Sequence, residues 1–333
     1  MPDRSSPRVS VLIPAWNAEG FIETALDTVV DQTLQDFEVI VVDDASTDGT
    51  AACVRRRAGR DPRVRLLEAS SNAGPGAARS QALGAATGDW VAILDADDTM
   101  APNRLEKLIA EAERDELDAI ADNIALIDPG TREDVGRAFP LRPGDQVDLD
   151  ATAFLDNVRP AARINLGWMQ PVVRRAFLIQ HGIDWPAIRH AEDMVFTMRL
   201  LCAGARFRLV GEAGYRYTQR VGTESGQRSA LSRTKRSVSQ QLRAVELILT
   251  ACGTLDPAAR RRLRRMRGEI AATTHALSMR DALADGAYPS AFGHLFQTVT
   301  RPAALSRCLK ARYAGGHRLN AVPPPTRTDS RGG

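Results

Sequence analysis

Short apolar runs alternate with stretches of helical spacing through the first 130 residues. Residues 9–14, 37–42, 64–67 and 90–94 read as buried strands. Between them Phe21, Ala25, Leu26 and Val29 recur at helical spacing, residues 50–58 form a second helix, and residues 77–87 form an alanine-rich third. Pro102 opens a fourth helix, with Leu105, Leu108 and Ile109 facing inward, and residues 118–127 form a further strand. Uninterrupted apolar strands separated by amphipathic helices predict an α/β fold, a parallel sheet with helices on both faces. In such sheets ligands bind beyond the carboxyl ends of the strands.

The regime changes near Asp128. Pro, Gly and Asp punctuate the chain to about Asp148, and helical patches follow at residues 152–158 and 172–180. Residues 194–202 read as a helix and 206–210 as a strand. Beyond Leu231 the pattern is helical to about Ala284, and the end of the chain, with Pro323, Pro324 and Pro325, reads as a disordered tail. The division expected is a domain over residues 8–228, with halves 8–128 and 129–228. A helical region over 229–312 and a tail over 313–333 complete it.

Composition narrows the picture. With 333 residues there is room for one large α/β domain and an appendage, and a formal charge of +3 gives no case for nucleic acid. Cys53, Cys202, Cys252 and Cys308 lack metal-ligand spacing and any CxxC, so they are expected to be reduced, unpaired thiols. Residues 1–8 lack the apolar core of a signal peptide, and no run of about 18 apolar residues occurs. A cytoplasmic protein is expected.

Three acidic clusters carry the chemistry: Asp43 with Asp44 after the second strand, Asp95 with Asp97 and Asp98 after the fourth, and Glu192 with Asp193 just ahead of a helix. Each alone is compatible with a turn or a helix cap. Two clusters on one sheet edge would repel, which points to a cation or to hydrogen-bonding ligands. On an extended segment Asp95 and Asp97 point to the same side, an oxygen donor set suited to Mg²⁺ or Mn²⁺.

Five blocks, VSVLIPAWN at 9–17, VVDDASTDGT at 41–50, NAG at 72–74, Ala78 with Arg79, and GDWVAILDADD at 88–98, resemble the successive motifs of family 2 glycosyltransferases with the GT-A fold. HAEDMV at 190–195 resembles that family's acceptor-side motif. The resemblance covers residues 8–225, and Ser80 departs from it, standing where these enzymes carry Asn. It implies a mostly parallel sheet flanked by helices with a helical C-terminal extension.

It also implies residue roles. Pro14, Ala15 and Asn17 would shape the nucleotide pocket, Asp44 would read the base, and Gly74 and Arg79 would lie near ribose and diphosphate. Asp95 would meet donor hydroxyls, Asp97 a Mg²⁺ or Mn²⁺ ion, and Asp193 would be the general base. Glu192 would orient Asp193 or meet the acceptor, or else act as an ordinary helix-start acid. The implied reaction is inverting transfer of a hexose, glucose from UDP-glucose, to a glycan hydroxyl.

The readings weighed against it are a dehydrogenase around Gly74 and Gly76, a P-loop enzyme, a nucleotidyltransferase, and a catalytically inactive sugar-nucleotide-binding or scaffold protein. Arg79 replaces the third glycine of a dinucleotide loop, no GxxxxGK[ST] occurs, and residues 14–17 lack a phosphate loop's glycines and lysine.

On the acceptor side Trp168, Trp185, Tyr215 and Tyr217 are either sugar platforms or core residues. Arg216 and Arg220, near Thr223 and Ser225, are candidate phosphate contacts or a solvated loop. The arginine run from Arg260 to Arg267 either faces solvent or lies on anionic lipid. Residues 99–102, Arg104, Leu105 and 121–123 further resemble bacterial exopolysaccharide enzymes of the succinoglycan type. This implies a lipid-linked oligosaccharide acceptor at the cytoplasmic face of the inner membrane.

Overall fold

The structure is a computed structural model, and it describes residues 6–158, 165–218, 235–253 and 255–284. The strands are β1 (Val9–Ala15), β2 (Phe37–Asp43), β3 (Val64–Glu68), β4 (Trp90–Ile93), β5 (Thr99–Met100), β6 (Ala119–Ile127), β7 (Asp134–Arg137), β8 (Gln146–Leu149), β9 (Val172–Arg174) and β10 (Phe207–Thr218). The helices are α1 (Ile22–Val30), α2 (Thr50–Ala58), α3 (Pro75–Ala85), α4 (Arg104–Arg114), α5 (Ala151–Asp156), α6 (Arg175–His181), α7 (Glu192–Cys202), α8 (Lys235–Ala251) and α9 (Pro257–Ala284).

One sheet organises the molecule, in the order β3-β2-β1-β4-β9-β6-β10-β5, with β7 on β6 and β8 on β10. β1 pairs in parallel with β2 and β4, and every residue of β2 is buried. Burial on both faces is why β1 and β2 read as continuous apolar runs without alternation. β9 runs antiparallel to both β4 and β6, and β10 runs parallel to β6. β1, β2 and β4 therefore end on one edge, which collects Asp43, Asp44 and Asp95.

Behind that edge lies a buried polar brace. Arg104 pairs bidentately with Asp122 (Nε–Oδ2 3.1 Å, Nη2–Oδ1 2.8 Å) and donates to the Gln170 carbonyl at 2.6 Å. Asp122 Oδ2 accepts the amides of Gly214 and Tyr215. A register shift in β10 between Val210 and Tyr215 turns Tyr215 into this network. Charges buried this deeply persist because each is paired and hydrogen-bonded.

Several expectations need correction. The sheet is mixed, because β9 is reversed and β5, β7 and β8 are also antiparallel to their neighbours. Residues 172–180 are not one helix: Val172 and Val173 pair into the sheet before α6 begins at Arg175. The punctuated stretch after Asp128 contains two edge strands, whose exposure leaves no apolar signal. The strand expected at 206–210 runs on to Thr218, and Glu192 and Asp193 are the first turn of α7, not a segment ahead of it. Pro102 precedes α4, whose first residue is Arg104.

The cysteine expectation also fails in part. Cys202 at the end of α7 and Cys252 after α8 form a disulfide with a Cα–Cα distance of 5.7 Å, whereas Cys53 is free and buried. The packing of α7 on α8 joins cysteines 50 positions apart, which spacing rules for neighbouring cysteines cannot detect.

By contact density the chain forms two compact units, Met1–Gly268 and Glu269–Gly333. The site below lies wholly in the first. The described part of the second is the remainder of α9, and the tail expected at 313–333 lies outside the described residues.

Candidate active site

Arg79 is the centre of the site. It stands on α3, its side chain 3% exposed, and donates to three carboxylates: Asp95 Oδ1 at 2.6 Å, Glu192 Oε1 at 2.9 Å and Asp193 Oδ1 at 2.9 Å. Its Nε is buried with no partner among the described residues. Asp95 follows β4, while Glu192 and Asp193 open α7, where the helix dipole favours acids. One guanidinium thus joins the D-x-D edge to a motif almost 100 residues later in the chain.

Three carboxylates around one cation leave an excess of negative charge. Burial pushes Asp193 up to about 7. Arg79 opposes the rise, the charges of Glu192 and Asp95 add to it, and the Trp185 indole opposes it. Asp193 Oδ1 accepts from both Arg79 and Trp185 Nε1 (3.1 Å), and among the described residues no donor reaches Oδ2. A half-buried carboxyl tuned near neutrality, with one oxygen uncommitted among the described residues, has the properties of a general base.

At the D-x-D edge the carboxylates divide by direction. Asp95 engages Arg79 through Oδ1 and Gln170 Nε2 through Oδ2 at 3.3 Å, and its amide donates to the Tyr215 hydroxyl. Asp98 turns inward and accepts from the Tyr215 hydroxyl at 2.8 Å and the Thr218 amide at 2.9 Å; burial raises it well above the carboxylate range. Asp97 is half-buried, neither as deep as Asp98 nor fully exposed. Among the described residues no group of three or more His, Cys, Asp or Glu forms a ready-made metal cage. The donor set nevertheless fits a divalent cation of the Mg²⁺ type, which takes one or two carboxylates and completes its shell with phosphate and water.

On the nucleotide side the end of β1 and the loop after β3 are tied together. The Asp44 amide donates to the Ala15 carbonyl, the Asp44 carboxylate accepts the amides of Ala73 (2.8 Å) and Gly74 (2.7 Å), and Asn72 Nδ2 donates to the Asp44 carbonyl. Gly74 has φ of 93°, a left-handed value that favours glycine and directs the chain into α3. Asn17, at φ 49°, receives the Thr47 amide on Oδ1 and donates its own amide to Ser46. Pro14 pairs in register with Val42 beside them. Asp44 is therefore a brace for the loop whatever else it binds. Its neighbour Asp43 keeps Oδ1 buried without a partner among the described residues, as does Asn72 Oδ1.

The four aromatics of the acceptor side separate. Trp168 and Tyr217 are each 37% exposed and stack at 6.0 Å with an 18° interplanar angle. Trp185 and Tyr215 are buried and serve the network through their polar ends. Arg216 is exposed on β10, and Arg220, Thr223 and Ser225 lie outside the described residues. Of the residues expected from sequence, Arg79, Asp95, Glu192 and Asp193 are brought into direct contact. Gln170 carried no sequence signal as a site residue, and Trp185 and Tyr215, expected as sugar platforms or core, instead hydrogen-bond the site carboxylates.

Comparison with known proteins bears on the family and the fold. Residues 10–160 match the family described as Glycosyl transferase family 2. The succinoglycan biosynthesis protein ExoO of Rhizobium meliloti is 31% identical over 347 residues, covering 98% of this chain and 94% of the relative. Among solved structures, S. aureus TarS 1-349 in complex with UDP aligns at TM-score 0.61 and 18% identity, over 94% of this chain and 95% of that one. The mannosyltransferase PcManGT from Pyrobaculum calidifontis, in complex with GDP-Man and Mn²⁺, aligns at TM-score 0.54 and 21% identity, over 93% and 88%. These likenesses show the GT-A glycosyltransferase fold.

Proposed function

The chain belongs to the family 2 glycosyltransferases, and on that premise we propose an inverting transfer of a hexose, glucose from UDP-glucose, to a hydroxyl of a lipid-linked glycan in exopolysaccharide biosynthesis. The observation that carries the reading is the Arg79 cluster, which sets Asp193 beside the D-x-D edge. Asp193 Oδ2 takes the proton of the acceptor hydroxyl as that oxygen attacks the anomeric carbon from the face opposite the diphosphate. A single displacement of this kind inverts the anomeric configuration. Arg79 and Glu192 hold Asp193 in place, and Asp95 meets donor hydroxyls.

Asp97 would hold the cation, which supplies Lewis-acid stabilisation of the departing diphosphate. Asp44, with Pro14, Ala15, Asn17 and Gly74, frames the nucleotide, and the unpartnered acceptors of Asp43 and Asn72 suit the N–H groups of a base. Trp168 with Tyr217 offers a stacking shelf to an acceptor sugar. Arg216 and Arg220 are proposed phosphate contacts. The UDP of the TarS complex and the GDP-Man of the PcManGT complex are the two donor classes to separate.

Membrane contact is part of the proposal. Along α9 Ala259, Leu263 and Met266 are buried, while Arg261, Arg264 and Arg265 are exposed. Arg262 pairs with Asp156, Arg267 with Glu246, and Arg260 donates to the Gly253 carbonyl. No described helix is long and apolar enough to cross a membrane. A peripheral position on the cytoplasmic leaflet suits a basic face on a helix that does not span.

Nucleoside diphosphate release from UDP-glucose, UDP-GlcNAc and GDP-mannose, with and without EDTA, tests the reading. Release from one sugar nucleotide is expected, lost with EDTA and in Asp97→Ala. Undiminished release under EDTA would remove the metal role, and no release from any donor would favour an inactive binding protein.

A further inference from the structure

Asp193 offers Oδ1 to two donors, and the second of them is held in place with unusual care. The Trp185 ring is 2% exposed and lies flat on Phe196 at 3.7 Å with an interplanar angle of 8°. Phe196 sits three residues beyond Asp193 on α7, so the helix that carries the carboxylate also carries the surface that orients the indole.

The backbone of Trp185 is fixed from the other side. Its amide donates to Ser80 Oγ at 3.0 Å, and its carbonyl accepts the same hydroxyl's proton at 2.9 Å. One serine thereby fills both backbone positions of the tryptophan. Ser80 follows Arg79 on α3, so consecutive residues govern the two donors to Asp193, Arg79 directly and Ser80 through Trp185. The close approach has a third support. A Cβ on Gly76, one turn earlier on α3, would fall 2.2 Å from the Pro186 carbonyl oxygen and 3.3 Å from Glu192 Cβ. Glycine there lets the chain around Trp185 lie against the helix.

We infer that Trp185 is a positioning residue for Asp193: its indole N–H occupies Oδ1 in the plane set by Phe196 and Ser80 and leaves Oδ2 to face the acceptor hydroxyl. The inference rests on the assignment of Asp193 as the base. It gives a role to Ser80, whose hydroxyl reaches both backbone atoms of residue 185. The charged groups facing the carboxyl are Arg79 from α3, Glu192 from α7 and Asp95 from the end of β4, and none of them is altered by changing the indole. Loss of the N–H removes a donor from the ionised carboxyl, so the proton is held to higher pH.

The contact is read first without any ligand. The chain has four tryptophans, and their indole N–H signals in a ¹H–¹⁵N spectrum can be assigned with Trp185→Phe. The Trp185 signal should move in one titration step as Asp193 ionises, and the step should vanish in Asp193→Asn. The Trp90 indole, which donates to Glu113, should be unaffected by that change and serves as the internal reference. A Trp185 signal that does not titrate, or that titrates equally in Asp193→Asn, overturns the contact.

The catalytic consequence is read from diphosphate release, using the sugar nucleotide of the panel above that the wild type turns over. Trp185→Phe keeps the ring on Phe196 and loses the N–H. Its acidic limb should move up by about one pH unit, a loss of about tenfold in kcat on that limb, with activity recovered at alkaline pH and donor KM unchanged. Ser80→Ala should lower kcat in the same pH range, and Ser80→Thr should restore it. A Trp185→Phe profile that is unshifted, or lowered equally at every pH, overturns the positioning role while leaving Asp193 as the base. Wild-type turnover in Asp193→Asn removes the base assignment and the inference with it. Should Trp185→Phe fail to fold, the Ser80 pair carries the same decision.

Discussion

Asp193 illustrates how a residue's chemistry is set by what surrounds it. Burial pushes its carboxyl up to about 7, although Arg79 stands at 2.9 Å, and the charges of Glu192 and Asp95 push in the same direction as burial. A base acts as the carboxylate, so turnover should rise with pH along a limb centred near 7 and level off above it. The same group acts on stability with the opposite slope. Its folded pKa lies above the unfolded value of about 3.9, so its contribution is complete below that pH and is lost as pH rises through about 7. Urea midpoints of wild type and Asp193→Asn at pH 5 and pH 8.5 read this directly. The wild type should lose more stability than the variant between the two, and parallel behaviour would show that the carboxyl is not shifted.

At the scale of the element, α3 is the piece that joins the two sides of the site. It presents Gly76, Arg79 and Ser80 on one face to the segment that ends in α7. Two glycines of this helix make opposite forecasts. Gly76→Ala must displace the Pro186 carbonyl and should cost about 1–3 kcal/mol and most of the activity. A Cβ at Gly84 meets nothing within 4 Å, so Gly84→Ala should stabilise by about 0.5–1 kcal/mol and leave turnover unchanged. Thermal melts with parallel activity assays check both, and equal effects would contradict the close packing. The main helices and strands were legible because doubly buried strands such as β2 are apolar throughout and α1 and α4 keep one apolar face. β9 was not legible: its three residues run without a break into α6 and are too few to show a strand's alternation. β7 and β8 lie exposed at the sheet's margin, so their composition is that of a loop.

Across the whole molecule, the first half of the chain contributes Arg79 and Asp95 and the second contributes Glu192 and Asp193. Asp95 was readable as part of a carboxylate cluster at a strand end, whereas Arg79, Glu192 and Asp193 stand on helices and were readable through the resemblance of their blocks to the family's motifs. What joins them was not readable. Trp185 meets Asp193 through the stacking of its ring on Phe196, Gln170 meets Asp95 through the reversed strand that follows it, and Cys202 meets Cys252 through the packing of two helices. Each is a tertiary contact with no periodic or spacing signature.

The exposed arginines of α9 make a forecast at this scale too. Replacing Arg261, Arg264 and Arg265 with Gln should release the protein from anionic vesicles, at about 1 kcal/mol per residue, and high salt should mimic the change. Equal cosedimentation with neutral and anionic vesicles would end the membrane reading.

The most direct test of the account is transfer by Asp193→Asn, compared with wild type at pH 8 on the same donor and acceptor. The amide keeps the shape of the side chain and loses the capacity to accept a proton. Donor binding should persist while transfer falls by about 10²–10⁴-fold. Transfer at the wild-type rate with intact donor binding would contradict the assignment of Asp193 as the base and, with it, the proposed mechanism.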